Sequence, residues 1–255
     1  MLKGMLKNSW VYLSALILIA CGQEATEGKL LHEERSYQEN RCIEDVCASI
    51  QLNYPFYNGD EAALGINSEI ENMLIRSIAF EEPAENLALA VSNYLDDFER
   101  FAKDYGAFSE WFIHIEVKET FQNKELLTVL VKSSSFLGGA HPNSNEVLVN
   151  FNSKSGETLP LKAIKFDFGK LLVLVEEKFR LFHEVPENIS LEEDGRFFLK
   201  NDKDFFLPQN LGFDEKGLMV IYNPYEIGPY VLGMTSIHIP WKELNGAASP
   251  ELKLK

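Results

Sequence analysis

Ile113–Val131 reads IHIEVKETFQNKELLTVLV. Ile113, Ile115, Val117 and Phe121 alternate with His114, Glu116, Lys118 and Thr120, a period of two that sorts side chains onto the two faces of a strand. Leu127, Val129 and Val131 resume the alternation beyond the turn-forming Gln122-Asn123-Lys124, so the stretch predicts an antiparallel hairpin. Toward the C-terminus, the Gly138-Gly139-Ala140-His141-Pro142-Asn143 loop leads to a third strand carrying Val147, Val149 and Phe151, closed by a Lys154-Ser155-Gly156 turn. Asp167 is placed to cap a helix with the apolar face Phe168, Leu171, Leu172, Val175, Phe179 and Phe182. Strands return over Phe205–Phe213, Leu218–Tyr222 and Thr235–Ile239, the first two joined by an Asp214–Gly217 turn.

On the other side of the hairpin the period changes. Ala48–Tyr57 predicts an opening strand whose ladder Pro55 interrupts. Ile66, Ile70, Met73, Leu74 and Ile78 then follow helical spacing up to Pro83. Leu87, Val91, Tyr94, Leu95, Phe98, Phe101, Ala102 and Tyr105 do the same up to Gly106. Asp96, Asp97, Glu99 and Asp104 fall mainly on the opposite, solvated face of that second helix, so they are not read as an acid–base pair. Helices and hairpins in separate blocks predict an α+β fold, a largely antiparallel sheet packed with about three helices.

The N-terminus carries an address. Lys3 and Lys7 precede an apolar run, Trp10–Ala20 (WVYLSALILIA), of 11 residues, against the roughly 18 or more that a spanning helix needs. Leu18-Ile19-Ala20-Cys21-Gly22 reads as a bacterial lipobox, with Ala20 at the cut and Cys21 offering the thiol that takes lipid. Its acyl chains would bury enough methylene for stable anchoring. The expectation is an exported lipoprotein on the bacterial cell envelope, periplasmic or surface-facing, held to a membrane through Cys21. The polar stretch Gly22–Gln38 reads as a flexible tether. Cys42 and Cys47 remain as an even pair in an oxidising compartment, which suits a local disulfide, with two free thiols as the alternative.

Charge narrows the partners. The chain has 255 residues, 24 basic against 39 acidic, for a net charge of −15. Losing Lys3 and Lys7 with a signal peptide would leave 22 basic against 39 acidic residues, a charge of −17. Such a surface repels nucleic-acid phosphates and steers basic partners, so no nucleic-acid function is expected.

The search for chemistry returns little. The five histidines form no H-E-x-x-H and no zinc-spaced Cys-His set, so no metal or cofactor is expected. Lys154-Ser155-Gly156 is similar to a K-T-G element, but no serine begins an S-x-x-K, and G-x-S-x-G is absent. Glu192-Glu193-Asp194 lacks the alternate-position spacing of a calcium loop. No catalytic residue is assigned, and the chain is not expected to be an enzyme. The stretch Tyr222-Asn223-Pro224-Tyr225-Glu226-Ile227-Gly228-Pro229-Tyr230 is the feature that suits binding: two prolines stiffen it and three tyrosines need partners for their hydroxyls. The alternative is a loop whose tyrosines pack over a sheet edge. In the glycine loop His141 is either a site residue or a bystander of a turn that Gly138 and Gly139 make.

Taken in order, Gly138–Asn143, Phe151-x-x-Lys154-x-Gly156-x-x-Leu159-x-Leu161, Gly217, the Tyr222–Tyr230 stretch, Gly233 and Ile239-Pro240 resemble one domain family. It is shared by the extracellular part of the anti-sigma factor RsiV and the non-catalytic N-terminal region of the peptidoglycan deacetylase PdaC. The resemblance implies an α/β binding module without catalytic residues, and in RsiV the module binds lysozyme. It covers roughly Cys42–Leu244, and this chain shows neither a sigma-binding segment nor a deacetylase domain. The domain plan is then a signal peptide over 1–20, a tether over 21–41, a module over 42–245 in halves 42–137 and 138–245, and a tail over 246–255. The ligand expected is a cell-wall-related basic protein such as a lysozyme-like muramidase, or alternatively peptidoglycan or another glycan. Tyr222, Tyr225, Tyr230, His141 and Asn143 are the candidate binding residues.

Overall fold

The computed structural model describes residues 29–79, 83–244 and 246–248. The expected signal peptide, Cys21, the first part of the tether and residues 249–255 lie outside the described residues. Five strands, β1 (Leu31–Ile43), β2 (Val46–Asn58), β3 (Trp111–Gln122), β4 (Leu126–Leu137) and β5 (Asn143–Asn152), form one sheet in that order. Between β2 and β3 the chain makes two helices, α1 (Glu61–Ile78) and α2 (Leu87–Tyr105). That crossover makes β2–β3 a parallel pair, while every other pair is antiparallel. After α3 (Phe168–Phe182) and the short α4 (Leu191–Asp194), strands β6 (Leu211–Asp214), β7 (Gly217–Tyr222) and β8 (Thr235–Pro240) form a second, antiparallel sheet. The α+β class expected from the periodicities is the one observed.

Alternation along β3 explains the layering. Ile113, Ile115 and Val117 join Ile50 and Leu52 of β2 and Val129 of β4 beneath α1 and α2, which contribute Ile66, Ile70, Leu74, Tyr94, Leu95 and Phe98. Each such aliphatic or aromatic side chain is worth about 1.5–3 kcal/mol when withdrawn from water, so this one layer fixes the sheet on the helices. At the far end of the sheet the alternation fails, because Leu126, Leu127, Thr128 and Val129 are all buried. There the second sheet covers the face opposite the helices. A Cβ on Gly212 would lie 2.7 Å from the Thr128 Cγ2, so β6 reaches that close only as glycine. Buried polar bonds join the layers: Thr128 Oγ1 donates to Asn150 Oδ1 (2.8 Å) and Asn150 Nδ2 donates to the Leu211 carbonyl (2.8 Å). Phe213 stacks between Phe166 (5.8 Å) and Trp241 (5.5 Å) in the second core.

Several sequence expectations are corrected. Leu31–Ile43, most of which falls in the expected tether, is the edge strand β1. Only Tyr37 and Ile43 along it face the core, so it carries no apolar period, and its charged residues are typical of a protected edge. Arg41 of β1 reaches across to Asp96 and Glu99 of α2. Pro55 does not break the ladder: β1 pairs straight through it, and β3 has already left β2 after Asn53. Tyr105 points to solvent. Phe205–Asn210 is not strand, which leaves β6 four residues long. The line drawn at 137/138 falls between β4 and β5, hydrogen-bonded neighbours in one sheet. The tail begins in the core, with Ala247 and Ala248 buried and the Ala247 carbonyl accepting from Asp167 N–H at 3.0 Å.

Cys42 and Cys47 are paired residues of the β1–β2 hairpin, their Cα atoms 4.0 Å apart, and they form the disulfide. The loop it closes is short, so its contribution through chain entropy is small. Its place is at the hairpin end, where Glu44 turns with φ 54°.

Candidate functional site

The tyrosine stretch divides between core and surface. Tyr222 ends β7 with no exposed area, its ring 5.7 Å from Phe179 and its hydroxyl donating to the Phe206 carbonyl at 2.7 Å. Burial raises its pKa beyond the phenol range. It continues the parity of Leu218 and Val220 into the second core, so its assignment as a binding residue is corrected.

The chain then leaves the sheet in a locked turn. Glu226 N–H donates to the Asn223 carbonyl, and Asn223 N–H donates to Glu226 Oε2, each at 3.0 Å. Burial pushes the Glu226 carboxyl above its ordinary pKa, opposed by that backbone donor. Between them Tyr225 takes φ 69°, a left-handed conformation that costs a non-glycine residue roughly 1–2 kcal/mol. Tyr225 is 62% exposed, so packing of its own side chain is not what holds the strain. Ile227 is buried and its carbonyl accepts from Phe198 N–H at 2.9 Å, which fixes the far side of the turn.

Tyr230 returns over the glycine loop. Its ring stacks on His141 at 4.0 Å and 22°, its hydroxyl donates to the Pro142 carbonyl at 3.1 Å, and Tyr225 lies 5.6 Å from it on the solvent side. The structure thus brings together Tyr225, Tyr230 and His141 as an exposed aromatic ridge. Asn143 opens β5 opposite Ser135, exposed, two residues beyond His141. Gly138 takes φ 78° beside Ser109 and Trp111, so the glycine makes the turn and His141 joins the ridge.

Two asparagines clamp the ridge to the first sheet. Asn223 Oδ1 accepts from Glu146 N–H (2.8 Å) and its Nδ2 donates to the Glu146 carbonyl (2.9 Å). Asn210 Nδ2 donates to the same carbonyl (2.6 Å), and its Oδ1 accepts from Leu148 N–H (2.7 Å). These side chains complete the outer edge of β5, which pairs with no further strand among the described residues.

Other titratable groups are structural. Glu119 accepts from the Tyr57 hydroxyl at 3.0 Å and faces His32 Nδ1 at 3.6 Å, tying the start of β1 to β3. Burial raises the pKa of Glu119. Glu193 closes a capping box with Ser190 at α4, so the Glu192-Glu193-Asp194 run starts a helix. Among the described residues no three His, Cys, Asp or Glu side chains gather as metal ligands. A shallow groove of about 320 Å³, lined by β2–β5 and Met234, lies beside the clamp; no motif in the sequence points to it.

Residues 42–144 match the family model described as deacetylase PdaC, and residues 168–242 match that of a protein of unknown function, DUF3298. None of the curated proteins matches the chain. Among solved structures, a DUF3298 family member from Bacteroides fragilis is 20% identical, with a TM-score of 0.65 over 87% of this chain and 94% of the other. A DUF3298 family protein from Pseudomonas aeruginosa PAO1 is 16% identical, with a TM-score of 0.66 over 89% of this chain and 98% of the other. One segment of the chain thus matches each model, in agreement with the family that its loop motifs resemble, and the fold is shared with both solved structures along nearly the whole chain.

Proposed function

We propose that the protein is a non-catalytic binding module, lipid-anchored to the bacterial envelope through Cys21, whose ligand is a basic protein of the lysozyme-like muramidase class seated on the aromatic ridge. The observation that carries this reading is the exposed Tyr225–Tyr230–His141 stack, held by the Asn223 clamp on a backbone that includes a strained residue. Rigid, half-exposed aromatics are the anchors that dominate protein interfaces. The net charge of −15 favours approach of a cationic enzyme. The alternative of sugars stacked along three tyrosines loses one of them, because Tyr222 lies in the core.

The test is a pull-down and titration of purified full-length protein with lysozyme and with insoluble peptidoglycan, at low and physiological salt. Tyr225→Ala is expected to melt like the wild type and to lose at least about tenfold in lysozyme affinity, roughly 1.4 kcal/mol. Unchanged affinity in the folded variant, or no lysozyme binding by the wild type, refutes the reading. Weakening with salt is expected of this charge-steered pair. The anchor is tested separately by Cys21→Ser, which should release the protein from membranes.

A further inference from the structure

The face of the five-stranded sheet opposite α1 and α2 is covered by the second sheet only toward one end, and the open remainder has an ordered chemistry. Residues in register across the strands form rungs. One rung is Gln51 of β2, His114 of β3, Ser134 of β4 and Ser144 of β5. With strands about 4.8 Å apart, it runs about 14 Å from β2 to β5. All four residues line the groove of about 320 Å³. Among the described residues, the Gln51 amide and the Ser134 and Ser144 hydroxyls have no hydrogen-bond partner in the protein, so they face outward with donors and acceptors free.

The rungs on either side restrict what can bind. On one side Phe112 of β3 lies directly across from Phe136 of β4, rings 6.2 Å apart, with Phe112 also 5.0 Å from His114. On the other side the charges cancel within the protein: Lys132 pairs with Glu146 at 2.7 Å, and Glu116 with Lys118 at 2.7 Å. In a chain of net charge −15, the groove offers a ligand no unpaired ion. What remains is an aromatic strip alongside a row of amide, imidazole and hydroxyl groups. An ionic ligand finds no counter-charge there, and a purely apolar one would strip water from the row without replacing its hydrogen bonds.

We propose that this groove binds an uncharged saccharide chain laid along the Gln51–Ser144 rung. Sugar hydroxyls both donate and accept, as the rung requires, and the C–H faces of the rings pack against Phe112 and Phe136. The site is separate from the aromatic ridge and does not rest on the muramidase reading. Its openness fits weak, exchanging affinity, and its neutrality fits indifference to salt.

The experiment is calorimetric titration of the full-length protein in detergent with N-acetylglucosamine oligomers and cello-oligosaccharides, at low and high salt. The wild type is expected to show saturable binding that salt does not change. The double variant Gln51→Ala/Asn53→Ala, both on the open face, should melt like the wild type and bind at least about tenfold more weakly. Phe112→Ala should weaken binding as well, while Tyr225→Ala should leave saccharide affinity unchanged. No saturable binding by the wild type, a steep salt dependence, or equal affinity in the folded double variant overturns the proposal. Loss of saccharide binding on Tyr225→Ala also overturns it, by placing the sugar on the ridge.

Discussion

Replacing Asn223 by Ala removes the side chain that fastens the aromatic ridge to β5. Two bonds disappear, the one accepted from Glu146 N–H at 2.8 Å and the one donated to the Glu146 carbonyl at 2.9 Å. The carbonyl keeps its bond from Asn210 Nδ2 at 2.6 Å, so only the N–H is orphaned. Glu146 is half-buried, and water reaches part of the gap. A neutral hydrogen bond contributes about 1 kcal/mol net and a buried orphan costs about 1–3 kcal/mol, which places the loss near 2 kcal/mol. In a domain of this size that lowers the melting temperature by roughly 4–8 °C. Asn210→Ala likewise leaves the Glu146 carbonyl one partner, but the double variant leaves it none. The double loss should therefore exceed the sum of the single losses, as expected for sites that share a partner. Thermal and urea melts of the four proteins measure this directly. Strict additivity, or an Asn223→Ala protein that melts with the wild type, would refute the shared-carbonyl clamp.

Gly156→Ala should destabilise the fold by about 2 kcal/mol or more, since Gly156 has φ 74° and a Cβ there would meet the Ala62 carbonyl oxygen at 2.2 Å; a normal urea midpoint would show that the turn and α1 can part without cost. His183 is buried against Thr235 at 2.8 Å, and burial, then Arg196, holds its pKa below 6.5. The unfolded chain therefore binds this proton first, and the stability His183 contributes is complete above pH 6.5 and lost as pH falls below it. Glu119 and Glu226, both raised by burial, act in the opposite sense at lower pH. The His183→Gln variant isolates the effect: its stability deficit relative to the wild type should shrink as pH drops through 6.5, and a pH-independent deficit would contradict it.

The elements that periodicity placed well are those with one buried face. The two long helices and the β3–β4 hairpin each present a single apolar stripe to one layer, so local spacing carries the information. Their ends were legible for local reasons too: Gly106 stops α2 and Asp167 caps α3. β1 was hidden for the converse reason. It is held by thirteen register pairs with β2 and by Arg41 contacts to α2, and neither leaves a period in its own residues. Leu126–Val129, buried on both faces, reads as a plain apolar run; that a second sheet lies on its far side depends on Gly212 and β6, some eighty residues later.

The candidate site was half legible. Prolines, glycines and tyrosines marked both loops of the ridge, because such residues concentrate where the backbone turns outside a period. That the loops meet is set by a bond between Tyr230 and Pro142, 88 residues apart. A signal for Tyr222 was present, since Leu218, Val220 and Tyr222 share one parity of β7. The groove illustrates a different limit. His114, Glu116 and Lys118 were correctly placed on the polar side of β3, but only the parallel pairing with β2 sets Gln51 beside His114 and Asn53 beside Glu116. That pairing exists because α1 and α2 carry the chain back over the sheet. Once those helices take one face, and β6 takes only the end of the other where Thr120, Thr128 and Asn150 lie, polar rungs must stay open between β2 and β5. The edge of the second sheet then sets the limit of the groove and, through Asn210 and Asn223, the position of the ridge. Disturbing the clamp should therefore move the ridge while leaving the floor of the groove in register.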